Sequence, residues 1–350
     1  MNKTLIYTAV AGSLGLGLAS QAAHASDEQL LFPYVVKDTN RTTVVTLISD
    51  EGRPVSSGAN VHLQYWTKST TAANTAACEP NSTTLTFTVN DIVTFDTAGL
   101  LGPGPLFGDT TNLAPLGTSI SYAAPRHGYL LADMELSSDN FSAGYWVEVD
   151  LANGGAHGDA ALRSDDSANF TSARFNPFMA LIPGDENDDN NPAFGVGRGA
   201  QAVPFWPASV ASTVFTVTPL GSNMLTNENN QVVMHVRNSS DVQGAYDRNE
   251  NGIDGTVPQT VRCVGRLTAA QLMPGVVANA AWAATGGWGW LANLGDGDTV
   301  YSEAASIDLA ASVYQVDTST AAGAGKFMQN ATRIVSNNKV EDLTSPIIFF

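Results

Sequence analysis

The chain has 350 residues, of which 33 are acidic and 16 are basic, so its formal net charge at pH 7 is −17. This length is enough for one large β domain or two smaller ones, each with a substantial apolar core. The acidic excess comes without a basic stripe that could neutralise phosphates, which argues against nucleic-acid binding and against docking on an anionic membrane surface.

The N-terminal segment 1–25 has the three parts of a secretory signal peptide. Lys3 supplies the positive charge, residues 5–18 form an apolar stretch, and AHA at 23–25 is a small-x-small cleavage site. The stretch is shorter than the ~20 apolar residues of a membrane-spanning helix. We therefore predict export to the periplasm, the cell surface or the medium. Cleavage after Ala25 removes one basic charge and leaves a mature chain, 26–350, that starts at Ser26, has a net charge of −18 and has no transmembrane segment.

Residues 26–150 form a predicted N-terminal lobe of strands separated by turns. LLFPYVV (30–36) is apolar, and Pro33 inside it predicts an edge strand or an irregular first strand. TTVVTLIS (42–49) follows after KDTN, a hairpin-type connection. Further strands are predicted at ANVHLQYWTK (59–68), STTLTFTV (82–89), DIVTFD (91–96), HGYLLADMEL (127–136) and FSAGYWVEVD (141–150), the last two as a hairpin across SSDN.

A polar connection of small residues, 151–170, leads to a predicted C-terminal lobe, 171–350. Helical signal is scarce: LTAAQLMPG (267–275), which Pro274 and Gly275 would end, and SEAASIDLAAS (302–312) are candidate short helices. The predicted strands are STVFTVTPL (212–220), QVVMHVRN (231–238), GTVPQTVRCV (255–264), GGWGWLANL (286–294) and ASVYQVD (311–317). This pattern predicts an all-β fold, an antiparallel β-sandwich of immunoglobulin-like or jelly-roll-like type with few short helices.

Cys78 and Cys263 are the two cysteines of the chain. In the oxidising compartment that export implies, two cysteines usually pair, and closing a loop of about 185 residues stabilises by up to ~5 kcal/mol in the loop-entropy model. The bond would join the two lobes; the alternative is two free buried thiols. Neither C-x-x-C-H nor C-x-x-C occurs, so no attached haem and no thioredoxin-like role are predicted.

The run DRNENGIDG (247–255) is the stretch whose residues point most directly to a binding site. Asp247, Asn249 and Asn251 stand at alternate positions before a glycine, as in the first half of a calcium loop, and Asp254 could add a carboxylate. Pro258 occupies the position of the bidentate glutamate of an EF-hand, so the candidate is a free-standing Ca²⁺ loop. The alternative is an ordinary Asn/Gly turn between strands.

Trp288 and Trp290 stand two residues apart and so share one face of a predicted strand. Tryptophan faces stack on sugar rings, which makes this pair a candidate ligand-binding site; the preferred alternative is that large aromatic residues fill the core. Glu148 and Asp150 have the same spacing and could serve as a glycosidase pair, but the preferred interpretation is a solvent-facing strand edge.

Catalytic motifs with a recognisable spacing are missing from the sequence. G-x-S-x-G does not occur in the mature chain, and the glycine run that starts at Gly195 has Ala200 in its sixth position, so no nucleotide site is predicted. The histidines at 62, 127, 157 and 235 are isolated in sequence, so they do not predict zinc.

The segments LLFPYVV, TTVVTLIS, VHLQYWTK and TLTFTVNDIVTFD, with Cys78 in the connection between them, resemble a set of uncharacterised exported β-rich bacterial surface proteins. In these proteins the mature chain opens with an apolar PY strand. The resemblance covers mainly residues 30–96. It implies a surface-exposed or secreted β protein and transfers no catalytic residue.

These features predict an exported, non-enzymatic β-sandwich protein with a structural, adhesive or appendage-associated role at the cell surface or outside. Its expected partners are further copies of itself or other surface proteins. The alternative is a carbohydrate-binding or carbohydrate-active secreted protein whose partner is a polysaccharide.

Overall fold

The computed structural model describes residues 29–49, 59–101, 124–134, 141–152, 154–163, 200–220, 231–238, 244–293, 310–320 and 327–336. Within these ranges the chain forms three sheets and three short helices, and neighbouring strands are antiparallel. The predicted all-β antiparallel class is therefore confirmed. The predicted signal peptide and the start at Ser26 lie outside the described residues. So does the candidate helix at 302–312 up to residue 309; its last three residues begin the strand Ala310–Ser319, so the helix is wrong there.

The first sheet is built around β1 (Gln29–Lys37). On one side β1 pairs with β6 (Arg126–Met134). On the other side the beginning of β1 pairs with β9 (Leu162–Arg163) and its last residue pairs with β2 (Arg41–Ile48). The remaining strands are β3 (Ala59–Ser69), β4 (Glu79–Phe87), β5 (Ile92–Asp96), β7 (Ala143–Asp150) and β8 (Gly155–Ala160). The order is β4-β3-β6-β1-β2-β7-β8, with β5 also on β2.

Pro33 lies inside the central strand of this sheet. The ladder between β1 and β6 shifts register between Phe32 and Val35, on either side of Pro33. The predicted irregular strand is confirmed and the predicted edge position is wrong. An irregularity lets a residue without an N–H group lie in a central strand, because it interrupts the ladder locally. The Pro33 carbonyl accepts a hydrogen bond of 2.5 Å from the Thr218 hydroxyl.

The second sheet consists of β10 (Ala200–Phe205), β12 (Gln231–Arg237), β13 (Gly244–Asp247), β14 (Gly252–Asp254), β15 (Gln259–Arg262) and β17 (Gly287–Asn293). Its order is β14-β13-β17-β12-β15, with β10 also on β17. The third sheet has the order β16-β11-β18-β19, formed by β11 (Ala211–Leu220), β16 (Gly265–Thr268), β18 (Ala310–Ser319) and β19 (Phe327–Ser336).

The third sheet lies between two apolar cores. Phe215 and Val313 belong to the core that also contains residues of the second sheet, whereas Leu220 and Tyr314 belong to the core of the first sheet. Successive side chains of a strand point to opposite faces, so a strand buried on both faces serves two cores at once. The third sheet is thus the layer through which the other two are connected.

The three helices are one or two turns long: α1 (Ala269–Leu272), α2 (Pro274–Val277) and α3 (Ala280–Thr285). A capping box between Thr268 and Gln271 starts α1 and confirms the candidate helix at 267–275, although Pro274 begins α2 as well as following α1. None of the described helices is long and apolar enough to cross a membrane.

Several strand assignments differ from the sequence-based expectation, which also did not include β10, β13, β14, β16 and β19. β6 pairs with β1 and β3 while β7 pairs with β2 and β8, so the predicted hairpin between 127–136 and 141–150 is wrong. The segment 255–264 is a strand only from Gln259 to Arg262. The predicted polar connection 151–170 contains β8 and β9 in its described part. Small and polar residues can form these strands because backbone pairing does not depend on apolar side chains.

The disulfide between Cys78 and Cys263 is present, with a Cα–Cα distance of 5.9 Å. Cys78 directly precedes β4, and Cys263 lies between β15 of the second sheet and β16 of the third. The bond therefore fastens the first sheet to the segment that connects the other two, across a sequence separation of 185 residues.

Replacing both cysteines by serine should lower the free energy of unfolding by about 2–5 kcal/mol, because the unfolded chain regains the freedom that a long closed loop removes. Urea denaturation measures this difference. Reductant should destabilise the wild type to a similar extent and leave the double variant unchanged. Equal stability of the two proteins without reductant would contradict a stabilising bond.

Candidate functional site

A buried carboxylate joins the first sheet to the third. Glu148 on β7 is 4% exposed, and its Oε2 lies 3.1 Å from Nε2 of His157 on β8. Its Oε1 lies 3.5 Å from Nη1 of Arg41 on β2 and 3.9 Å from Nη1 of Arg266 on β16. We call these four residues, together with Tyr34, the Glu148 cluster. The carboxylate is surrounded by groups from three other strands.

Aromatic rings enclose this cluster. The Tyr34 hydroxyl accepts a hydrogen bond of 3.3 Å from Nη1 of Arg266. The His157 ring stacks on Tyr314 with a centroid distance of 5.2 Å, and Trp146 meets Tyr314 edge to face at 4.9 Å. Because buried rings exclude water and lower the local dielectric constant, they strengthen the attraction between the charged groups.

The environment keeps Glu148 ionised. Burial by itself would raise the pKa of Glu148, but the hydrogen bond from His157 and the charges of Arg266 and Arg41 outweigh burial and lower that pKa below its ordinary value. The solvent-facing strand edge expected for Glu148 is therefore wrong. In a glycosidase the catalytic carboxylate faces a substrate cleft. The Glu148 carboxylate is instead buried in ion pairs that connect the first sheet to the third, so its geometry indicates a structural role.

The sequence analysis did not predict Arg41 and Arg266 as partners of Glu148, because they lie on strands far from β7 in the chain. It also did not predict His157, on the neighbouring strand β8. A local signal for the burial of Glu148 did exist. Trp146 and Glu148 stand two residues apart and so share one side of β7, and a tryptophan on a strand usually marks the core side.

Lys68 is a second buried charge, and it lies near the disulfide. Its Nζ donates hydrogen bonds of 2.9 to 3.1 Å to the carbonyl oxygens of Ala73, Asn74, Ala76 and Arg262. Burial and the charge of Arg262 lower the pKa of Lys68 to about 8. At neutral pH the ammonium is thus mainly protonated, and four carbonyl groups replace the water that it loses on burial.

His127 on β6 is buried beside the Glu148 cluster. Its ring meets Tyr34 edge to face at 6.2 Å, and neither ring nitrogen has a hydrogen-bond partner in the described part of the chain. Burial, together with the positive charges of Lys68, Arg266 and Arg41, lowers the pKa of His127 to about 3. The ring is therefore neutral in the folded protein at neutral pH.

The predicted calcium loop is the turn between β13 and β14. The Oδ1 of Asp247 accepts hydrogen bonds from the backbone N–H groups of Asn249 and Asn251, and its Oδ2 accepts one of 3.0 Å from the Asn251 amide. These bonds lower the pKa of Asp247. Asp254 lies at the other end of the hairpin, opposite Gly244. The turn thus brings Asp247 and Asn251 together, and Ca²⁺ binding by the four predicted residues stays a prediction.

Trp288 and Trp290 are half-buried on the side of β17 opposite Leu291, which packs in the core. Their ring centroids are 5.8 Å apart. Tyr246, the cross-strand neighbour of Trp288 on β13, stacks on it at 4.8 Å. We call Tyr246, Trp288 and Trp290 the aromatic cluster. Other tryptophans are buried in the cores, as the core interpretation predicts: Trp66, Trp146 and Trp282.

Comparisons with protein families, with curated proteins and with solved structures return no match for this chain. Within the described ranges, no three His, Cys, Asp or Glu side chains come together as a metal cluster does.

The neutral state of His127 predicts a loss of stability in acid. The unfolded chain takes up the proton near pH 6.5 and the folded chain only near pH 3, so stability that is present above pH 6.5 falls as the pH drops. Between about pH 7 and pH 4 the loss is roughly 3 kcal/mol, at 1.36 kcal/mol per pKa unit. His127→Phe should remove this part of the pH dependence in urea denaturation.

The control for His127→Phe is His62→Phe on β3, whose half-exposed side chain lies outside the Glu148 cluster. It should keep the acid dependence of the wild type. His235, whose pKa burial lowers to about 4, adds a similar dependence to all three proteins and so cancels in the comparison. An unchanged pH dependence in His127→Phe would contradict the assignment.

If the turn at Asp247 binds calcium, Ca²⁺ should raise the melting temperature by about 2–4 °C per kcal/mol of binding free energy, because the ion binds the folded state. A chelator should reverse the rise, and Asp247→Ala should abolish it. Asp159→Ala, which removes an exposed carboxylate on β8, serves as the control and should respond to Ca²⁺ like the wild type. Identical melting with Ca²⁺ and with chelator would argue for a plain Asx turn.

Proposed function

We propose that this chain is an exported, non-enzymatic β-sandwich protein with a structural, adhesive or appendage-associated role at the cell surface or outside the cell. The observation that carries the proposal is the Cys78–Cys263 bond. Disulfides form and persist in oxidising compartments, so the bond agrees with the signal-like segment 1–25.

The arrangement of buried charge supports a mechanical role. Glu148 and Lys68 each lie where elements from distant parts of the chain meet, and each is bound by partners from both sides of that contact. A buried charge is costly to leave unpaired, so these contacts resist separation of the sheets. A protein that bears load or forms part of a surface layer benefits from such resistance.

Export is tested by expressing the chain with its own N-terminal segment 1–25 and locating the product. We expect a mature N-terminus at Ser26, labelling by a membrane-impermeant reagent or recovery from the periplasm or medium, and thiols that react only after reduction. Ala25→Arg, which spoils the small-x-small site, should block processing. Full-length protein in the cytoplasm with two reactive thiols would refute the proposal.

The aromatic cluster favours the second candidate function, polysaccharide binding. Tyr246, Trp288 and Trp290 form a half-exposed group of three contacting rings, and aromatic faces pack against the apolar faces of sugar rings. The disulfide and the export signal agree equally well with this function.

A panel of immobilised glycans tests the second candidate. Trp288→Ala and Trp290→Ala should weaken retention of the protein on a bound polysaccharide by tenfold or more, about 1.4 kcal/mol each. Trp206→Ala is the matched control, because Trp206 is 41% exposed and is not part of the aromatic cluster. Equal retention of all three variants, or none by the wild type on the whole panel, would exclude a sugar site here.

A further inference from the structure

The outer edge of β4 is the longest strand edge in the described part of the first sheet, and it is uncharged after its first residue, Glu79. β4 has nine residues and pairs with β3 in one continuous register from Glu79 to Phe87. In the sheet order it is the terminal strand, so among the described residues nothing pairs with its other side. An edge strand presents a row of backbone N–H and C=O groups that a further strand can pair with.

β4 has few of the features by which proteins protect such an edge. Its charged residue, Glu79, stands at the first position and forms an ion pair of 2.6 Å with Arg126, and Pro80 follows. From Asn81 onward the strand has no charge, no proline and no register shift. Lysine, proline, bulges and short length are the usual protections against pairing between chains.

The other edge strands are better protected. β4 has its charged residue and its proline at the first two positions, Glu79 and Pro80, which leaves the seven residues from Asn81 to Phe87 without either. In the described part of the chain the other edge strands have shorter stretches of this kind: β5, β9, β14, β15 and β16 have five residues or fewer, the six-residue strands β8 and β10 contain Asp159 and Pro204, and Arg333 interrupts β19. This comparison singles out β4 as the edge where a further strand would pair with least hindrance.

The side chains of β4 suit pairing with an identical strand. Ser82, Thr84 and Thr86 are exposed on one side, while Leu85 is buried on the other. Around a two-fold axis at Thr84, Ser82 of one copy meets Thr86 of the other and Thr83 meets Leu85, so every cross-strand pair is uncharged. Threonine is favoured in strands, and cross-strand threonine pairs stabilise a sheet.

We infer that β4 pairs antiparallel with β4 of a second copy of this chain, which joins two first sheets into one continuous sheet. The net charge of −17 makes most surfaces of two copies repel each other, and β4 beyond Glu79 offers a stretch without that repulsion. The inference deepens the proposed structural role, since a subunit of an assembly needs a surface where copies meet.

Sedimentation velocity of the purified processed chain over a range of concentrations tests the inference. The wild type should form dimers as the concentration rises. Thr84→Lys should weaken dimer formation at least about tenfold, because two lysines then face each other across the axis. The added lysine also makes the net charge less negative, so a purely global charge effect would change association in the opposite direction.

His62→Lys is the matched control. His62 lies directly opposite Thr84 on β3, so this variant places the same charge on the same side of the sheet, one strand away from the edge. It should associate at least as well as the wild type. A mixture of Thr84→Lys and Thr84→Glu should form heterodimers again, which also shows that both variants are folded.

A monomer at all accessible concentrations would overturn the inference, and so would equal association of Thr84→Lys and His62→Lys. The measurement uses purified protein, so it is independent of where the cell delivers the chain. A negative result in the export experiment would therefore not affect the inference that β4 pairs with β4. A monomer in sedimentation would likewise not affect the proposal that the chain is exported.

Discussion

The contact between residues 73–78 and residues 262–266 is the constraint on which the rest of the structure depends. Asn74 binds this second segment twice through its side chain, by accepting from the Arg266 N–H at 3.2 Å and by donating to the Arg266 carbonyl at 3.1 Å. The Lys68 ammonium bridges the same two segments, and the disulfide makes the contact covalent. The backbone at Cys263 has a φ of 63°, a left-handed conformation that the surrounding bonds stabilise.

The Glu148 cluster is a second contact, between the first and third sheets, in which a buried charge bridges distant parts of the chain. In both places a buried charge, that of Glu148 or that of Lys68, is bound by groups from distant parts of the chain. If the sheets moved apart, this charge would lose part of its compensation and would be costly to keep buried. Apolar cores tolerate small shifts, whereas a buried ion pair or a coordinated ammonium requires one geometry. The three sheets are therefore held in one arrangement by directional contacts in addition to apolar burial.

This arrangement leaves two distinct features at the periphery. The aromatic cluster on the second sheet presents half-exposed rings, and the edge of β4 on the first sheet presents backbone groups beside small uncharged side chains. Rings recognise ligands by the shape and polarity of a surface, whereas a strand edge recognises any extended chain of matching register. The proposed polysaccharide contact and the proposed strand pairing would thus use two separate parts of one framework.

The sequence by itself determined the class of the fold and the positions of most long strands, because period-two alternation is a local property of a strand: β2, β3, β4 and β11 lie where alternation or β-branched residues predict them. It also left Cys78 a single possible partner within the chain. Only the tertiary structure decided that β6 pairs with β1 and β3, that Glu148 points inward to Arg41 and Arg266, and that Tyr246 stacks on Trp288. Those outcomes depend on contacts between residues far apart in the chain, and alternation carries no information about which strands meet.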